Sequence, residues 1–112
     1  MAEPETTVNR RNGHPMFYEL LEKIGDLHAR KNSNYADDND PLSNLRACER
    51  IGIPALTGVL VRLQDKWSRL EQLAKGKPDL VGESIEDTLM DNAVYSLLAI
   101  VLIREGRSGE VK

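Results

Sequence analysis

Apolar residues recur every three or four positions in several stretches of the chain, the spacing that places them on one face of an α-helix. The first stretch begins at Pro15, a residue suited to the first helical position, and is predicted to end near Asn32. No stretch alternates apolar and polar residues as a half-buried strand does, so the chain is predicted to be all-α. The apolar face of the first helix comprises Phe17, Leu20, Leu21, Ile24 and Leu27.

Turn-forming residues and prolines separate the next two helices. A polar segment, 32–40, precedes a short second helix predicted over 41–51, which has a proline at its first position and a glycine after its end. The third helix is predicted to begin at Pro54 and to end at Ala74, because a glycine and a proline follow within 75–78. Its apolar stripe includes Trp67, which we interpret mainly as a packing residue.

The fourth helix is predicted to begin at Ser84, where Ser-Ile-Glu-Asp matches a capping box, and to continue to about Glu105. Its second half contains seven consecutive apolar residues, 97–103, more than one buried face requires, so we expect a homo-oligomer, a dimer or higher. The predicted fold is four-helix bundle-like, with three long helices and one short helix. The chain then divides into a disordered N-terminal arm (1–13), a single domain (14–105) and a flexible C-terminal tail (106–112).

Composition narrows the class of protein. The chain has 112 residues, enough for one domain, and 40% of them are hydrophobic, enough for a small core. A formal net charge of -3 disfavours sequence-independent binding to nucleic acid. Cys48 is the single cysteine, so no intrachain disulfide is expected. The longest apolar run is far shorter than the ~20 residues that span a bilayer, so we expect a cytoplasmic protein with no membrane partner.

Acidic residues interrupt the apolar face predicted for the fourth helix. At 100° of rotation per residue, Glu83, Asp87 and Asp91 lie within roughly 40° of one direction. The residues predicted to face the core on that side are Val94, Leu97, Leu98 and Val101. An unpaired carboxylate is costly to bury, so positive charge is expected to meet these acids.

Basic and polar residues stand where they could meet the acids. The face of the first helix becomes polar at His28, Lys31 and Tyr35, and antiparallel packing of the first and fourth helices would bring its end to the acidic turns. The third helix contributes a basic stripe at i, i+4 and i+7. That stripe consists of Arg62, Lys66 and Arg69. The sequence therefore predicts one polar pocket, in which carboxylates and cations could hold Mg2+ and a phosphate group together.

Three segments also resemble a known family: K-N-S-N-Y (31–35), R-L-Q-D-K-W-S-R-L (62–70) and E-S-I-E-D-T-L-M-D-N-A-V-Y (83–95). Together they resemble the phage nucleotide modification associated domain family, which is similar to the all-α MazG-like nucleoside triphosphate pyrophosphohydrolases. The resemblance implies an oligomeric enzyme that uses Mg2+, or Mn2+, to cleave a nucleoside or deoxynucleoside triphosphate to the monophosphate and pyrophosphate. Its setting would be phage nucleotide metabolism, in the cytoplasm of a host cell.

The resemblance also implies roles for individual residues. Metal would be held by Glu83, Asp87 and Asp91, and the catalytic residues would be Asp87, Asp91 and Lys31. On this interpretation, Asp87→Asn and Asp91→Asn abolish turnover. The substrate-binding residues would be Lys31, Asn32, Tyr35, Arg62, Lys66, Arg69 and Tyr95.

Two alternatives stay open. The E-E-x-x-E pattern that MazG-like proteins carry on the preceding long helix is absent, and Asp65 stands there among basic residues. Either one Mg2+ is bound with help from Asp65 or the loop acids Asp37, Asp38 and Asp40, or the protein is a non-catalytic helical module that binds a nucleotide or a host protein. Structural roles compete as well. The acids at 83–87 fit the first turn of a helix, and the basic stripe fits a solvated flank.

Overall fold

The computed structural model describes residues 12–35, 42–78 and 84–110. None of these residues forms a strand, so the predicted all-α fold is confirmed for the described part of the chain. The elements are α1 (Pro15–Tyr35), α2 (Ser43–Arg46) continued by a 3-10 helix (Ala47–Ile51), α3 (Ala55–Ala74) and α4 (Ile85–Glu110).

Some predictions concern residues outside the described ranges. These are the arm up to residue 11, the loop acids Asp37, Asp38 and Asp40, and the candidate metal ligand Glu83. At the other end, α4 continues to Glu110, so the segment predicted as a tail is helical over 106–110. It contains no proline that would prevent the helix from continuing past Glu105.

Two glycines close helices in the way their positions predict. Gly52 has a φ of 84°, and its N–H donates to the carbonyl oxygen of Glu49 at the end of the 3-10 helix. Gly76 also has a φ of 84° and donates to the carbonyl oxygen of Leu73 after the end of α3. A side chain at either position would be strained, because L-residues rarely adopt a left-handed backbone conformation.

Helices α3 and α4 form an antiparallel hairpin that contains most of the core. Arg62 pairs with Tyr95, and Arg69 pairs with Thr88, so residue numbers fall along α3 as they rise along α4. Val59 of α3 is 1% exposed. The buried cluster consists of Leu42, Leu45, Ala55, Val59, Ala99 and Leu102. Several of these side chains are small, which allows the two helices to approach closely.

The buried face of α4 differs from the predicted one. Thr88, Ala99 and Leu102 are buried against the rest of the molecule, whereas Leu97 and Val101 are 50% and 39% exposed. The inward direction is therefore rotated by roughly 120° from the prediction. The physical reason is that α4 is apolar around most of its circumference, so its sequence pattern does not single out the face that meets α3.

Two further packing predictions are wrong within the described structure. Phe17, Leu20 and Leu21 of α1 are exposed, because only the second half of that helix lies against the body of the protein. Trp67 of α3 is 54% exposed, on the flank of the helix away from the pocket described below.

Candidate functional site

A cavity of about 390 Å³ lies between the second half of α1, the start of α2 and one side of the α3–α4 hairpin. Its apolar wall consists of Leu27, Leu42, Leu45, Val94 and Leu98. Its polar and aromatic wall consists of His28, Lys31, Asn32, Asn44, Arg62, Asp91 and Tyr95. The cavity thus collects five residues that the sequence singles out, Lys31, Asn32, Arg62, Asp91 and Tyr95, from three helices.

Asp91 is the electrostatic centre of this pocket. Lys31 Nζ lies 3.2 Å from its Oδ1, and Lys66 Nζ lies 3.1 Å from its Oδ2. The side chain of Asp91 is 14% exposed, against 53% for Lys31 and 23% for Lys66. One carboxylate therefore joins α1 and α3 to α4, and the end of α1 meets the first half of α4, as the sequence predicts.

The lysines decide the ionisation of Asp91. Burial by itself raises the pKa of this carboxyl group, but hydrogen bonds from Lys66 and Lys31, together with their positive charges, outweigh the burial and lower the pKa below its ordinary value of 3.8. Asp91 is consequently an anion at neutral pH, and its charge neutralises part of the field of the two lysines.

Arg62 and Tyr95 form the other polar side of the pocket. The guanidinium Nη1 of Arg62 donates to the hydroxyl oxygen of Tyr95 over 3.4 Å, and its Cζ lies 5.8 Å from the centre of the ring. Both the hydrogen bond and the cation–π attraction hold the guanidinium beside the cavity. Of the described groups on the cavity wall, Lys31 and Arg62 are positive and Asp91 is negative, which gives a net charge of one positive; Lys66 contacts Asp91 but does not line the cavity.

Asp87 does not join Asp91 in the pocket. Its backbone N–H donates to Ser84 Oγ over 3.0 Å, and its Oδ2 accepts from the backbone N–H of Ser84 over 3.4 Å. These reciprocal bonds are the predicted capping box. Asp87 is exposed, because the free N–H groups at the start of α4 hold its carboxylate at the end of the helix.

Arg69 lies on the same flank of α3 as Arg62 and Lys66 but does not line the pocket. Its Nε donates to Thr88 Oγ1 over 3.1 Å, and the hydroxyl of Thr88 in turn donates to the carbonyl oxygen of Ser84 over 3.1 Å. Thr88 is completely buried. Sequence reasoning missed this residue, although Thr88, Tyr95, Ala99 and Leu102 follow one another at steps of seven, four and three, as residues on one helix face do.

The remaining candidate residues occupy varied positions. Asn32 and His28 are half-buried on the cavity wall, and Asn44, which the sequence analysis missed, joins them from α2. Tyr35 is the last residue of α1, and its side chain lies outside the part of the structure that is described. Asp65 is exposed on α3, away from the pocket.

The described residues do not fit a resident Mg2+. Within 12–35, 42–78 and 84–110, no three acidic, histidine or cysteine residues are grouped so that they could hold a metal ion. In that part of the chain, Asp91 is the one carboxylate on the cavity wall, and each of its oxygens already accepts from a lysine. Mg2+ prefers a near-octahedral set of oxygen ligands, which this donor set does not supply.

Comparisons of the chain with family models, curated proteins and solved structures give no match. Among the helices in the described ranges, none combines the length and the apolar character needed to cross a membrane. The pocket is therefore the feature of the described structure from which a function can be inferred.

Proposed function

We propose that the protein binds a nucleoside triphosphate, or a related nucleotide, in the pocket between α1, α3 and α4, without a metal ion held by the protein. The observation that carries this proposal is that Lys31 and Arg62 line a cavity on which Asp91, itself paired with Lys66, is the one carboxylate among the described residues. A concave site with excess positive charge attracts a polyanion, although the chain as a whole has a net charge of -3.

In this proposal, Asp91 is an internal counter-ion. It keeps the two lysine ammonium groups near one point in the absence of ligand, and a phosphate oxygen then accepts from the same donors. An ammonium group has three N–H donors, so Lys31, which lines the cavity, can bind a phosphate oxygen while retaining one bond to Asp91. Arg62 adds a planar donor group suited to a second phosphate oxygen.

The apolar wall suits the rest of a nucleotide. Leu27, Leu45 and Leu98 line the cavity, and the ring of Tyr95 adds an aromatic surface to its wall. A volume of about 390 Å³ falls within the range of small-molecule sites, which are mostly apolar with a few orienting polar groups. Asn32 and Asn44 supply amide groups that could bind a sugar or base.

A Mg2+-dependent pyrophosphohydrolase in phage nucleotide metabolism is the second candidate function. The observation that favours it is Asp91 itself, a carboxylate beside cations on the wall of a cavity. Because the described donor set does not fit a resident metal ion, we derive no catalytic step through Mg2+. We place either activity in a cytoplasmic homo-oligomer.

Isothermal titration calorimetry tests the binding proposal. A panel of ribonucleoside and deoxyribonucleoside triphosphates is titrated into the full chain with a chelator present. We expect binding without added metal, and we expect Lys31→Met and Arg62→Met each to weaken it by about tenfold or more, since each removes a charge-assisted hydrogen bond. Lys23→Met is the matched control, because Lys23 is exposed about two turns before Lys31 on α1 and does not line the cavity.

The results of the titrations distinguish nucleotide binding from nucleotide hydrolysis. If the protein binds none of the nucleotides, with or without Mg2+ or Mn2+, both proposed functions are contradicted. Release of monophosphate and pyrophosphate only when metal is added favours the hydrolase over the binding module. Equal losses in Lys31→Met and Lys23→Met would mean that the nucleotide binds elsewhere.

A further inference from the structure

Polar side chains of two kinds line the cavity, and they differ in whether the protein itself satisfies them. Lys31 is paired with Asp91, and the guanidinium of Arg62 donates to the hydroxyl oxygen of Tyr95. Three further polar side chains on the cavity wall have no hydrogen-bond partner among the residues that the structure describes. Here called the unpartnered set, they are His28, Asn32 and Asn44.

The unpartnered set is accessible from the cavity. All three residues are half-buried. Within the described part of the chain, every buried side-chain nitrogen or oxygen atom has a hydrogen-bond partner, so the free polar atoms of this set are not sealed inside the protein. A ligand that covers them must supply hydrogen bonds in return, because a polar group buried without one costs free energy.

The chemistry of the unpartnered set suits hydroxyl groups. Each asparagine amide presents a carbonyl oxygen that accepts and an NH2 group that donates, and the imidazole adds two ring nitrogens. An ionised phosphate oxygen accepts but does not donate, so the acceptors of the set would stay unpaired beside it. A hydroxyl group both donates and accepts, and it can therefore pair with either end of an amide.

The position of the set beside Lys31 indicates which part of a nucleotide reaches it. On α1, His28 precedes Lys31 by three residues and Asn32 follows it directly, so both lie within one turn, about 5.4 Å of helix rise. The ribose of a nucleotide is bonded directly to a phosphate, whereas the base lies beyond the ribose. A phosphate bound by Lys31 therefore brings the ribose to the unpartnered set and leaves the apolar wall for the base.

We propose that the unpartnered set binds the ribose hydroxyls, so that the pocket selects ribonucleotides over 2′-deoxyribonucleotides. This selectivity rests on the proposed nucleotide binding and names the sugar, which that proposal leaves open. The 2′-hydroxyl, a donor and an acceptor, is the group by which a protein distinguishes the two sugars. A site that pairs with a substrate hydroxyl discriminates against the analogue that lacks it, because the polar groups of the site are then left unpaired.

Calorimetric titration of the full chain with matched nucleotide pairs, in the presence of a chelator, tests this selectivity. The pairs are ATP with dATP and UTP with dUTP, which differ only in the 2′-hydroxyl. We expect the ribonucleotide of each pair to bind about tenfold more tightly or better. His28→Leu and Asn32→Leu should each lower that ratio by about threefold or more, because they weaken the ribonucleotide more than its deoxy analogue.

The other histidine of the chain provides the matched control. His14 is exposed before the start of α1 and does not line the cavity, so His14→Leu should retain the preference for ribonucleotides. Circular dichroism verifies that each variant is helical.

Failure of the ribose selectivity is distinguishable from failure of nucleotide binding. If wild type binds both members of each pair, but the deoxyribonucleotide equally or more tightly, the selectivity is overturned and the proposed function stands. If His28→Leu and Asn32→Leu weaken both members of a pair equally, the set contacts the base or the phosphate instead, and the selectivity is again overturned. If no nucleotide binds, the proposed function is contradicted and the selectivity with it.

Discussion

At the scale of single residues, Thr88 and Asp91 show how α3 satisfies the polar groups of α4. Thr88 is fully buried and bonds to Arg69, and Asp91, one turn later, bonds to Lys66. Both basic residues come from the same flank of α3. The basic stripe therefore has two roles, since Arg69 stabilises the hairpin, whereas Arg62 lines the pocket and Lys66 pairs with Asp91 on the pocket wall.

Replacing Thr88 with valine should destabilise the fold without changing the shape of the side chain. The substitution removes the acceptor for Arg69 Nε in a buried site, a loss that costs about 1–3 kcal/mol in the free energy of unfolding. Urea denaturation followed by circular dichroism measures it. Thr57→Val, at an exposed position on α3, should change stability by less than about 0.5 kcal/mol. If the two substitutions had equal effects, the hydrogen bond between Arg69 and Thr88 would not contribute measurably to the free energy of unfolding.

The ionisation of Asp91 predicts a pH dependence. Its pKa is lower in the folded state than the ordinary value of 3.8, so folding favours the ionised form. The stability that Asp91 contributes is therefore fully present above pH 3.8 and is lost as the pH falls below 3.8 through the folded-state pKa. The difference in unfolding free energy between wild type and Asp91→Asn should shrink over that range. A difference that grows with acidification would contradict the lowered pKa.

At the scale of helices, boundaries were easier to predict than faces. Gly52, Gly76 and the Ser84 capping box mark ends because each satisfies a local backbone requirement that the sequence states directly. The buried side of α4 depends instead on its neighbours. Helix α4 has apolar residues on nearly every side. The small residues Thr88 and Ala99 are buried where α3 approaches, but a hydrophobicity pattern does not distinguish small residues from large ones.

The same distinction explains the candidate site. Asp91 and Lys31 were predictable because a charge on an apolar face must have a partner. Asp87 shares nearly the same direction on the helix, yet it lies one turn nearer the start of α4, where unpaired backbone N–H groups compete for its carboxylate. The predicted acidic face therefore contains residues with two different roles: Asp87 caps the helix, and Asp91 lines the pocket.

Removing the cap should weaken the start of α4. Ser84→Ala eliminates the side-chain bond to the N–H of Asp87 and is expected to lower the free energy of unfolding by about 1 kcal/mol. Thermal denaturation measures the change. Ser68→Ala, in the middle of α3 and exposed, is the control and should have little effect. If Ser84→Ala were as stable as wild type, the capping box would not stabilise this helix.

At the scale of the whole molecule, α3, α4 and α2 share the core, whereas α1 is attached mainly at one end. Among the described side chains, the buried cluster includes none from α1, and the first half of that helix has exposed apolar residues. The attachment runs through the pocket wall, by Leu27 and the Lys31–Asp91 pair. The ligand pocket is therefore closed by the least firmly packed long helix, which allows nucleotide binding to stabilise its position.

Hydrogen exchange should detect this division. Amides of α1 around Leu20 are expected to exchange faster than those around Val59 or Ala99, because α1 can open without disrupting the core. Lys31→Met should accelerate exchange in α1 alone, whereas the control Lys23→Met should not. Uniform protection of all three long helices would contradict this view of the molecule.

The central claim is that Asp91 is a counter-ion in a cationic nucleotide pocket, and calorimetry on Asp91→Asn tests it most directly. Removing this charge raises the net charge of Lys31, Arg62 and residue 91 on the cavity wall from one to two positive and removes the carboxylate that Lys31 and Lys66 share. We predict that the variant retains its helical fold and binds a nucleoside triphosphate at least as tightly as wild type in the presence of a chelator. Asp87→Asn, at the cap, should bind as wild type does. Loss of nucleotide binding in folded Asp91→Asn would contradict the claim and assign Asp91 to direct contact with the ligand or its metal ion.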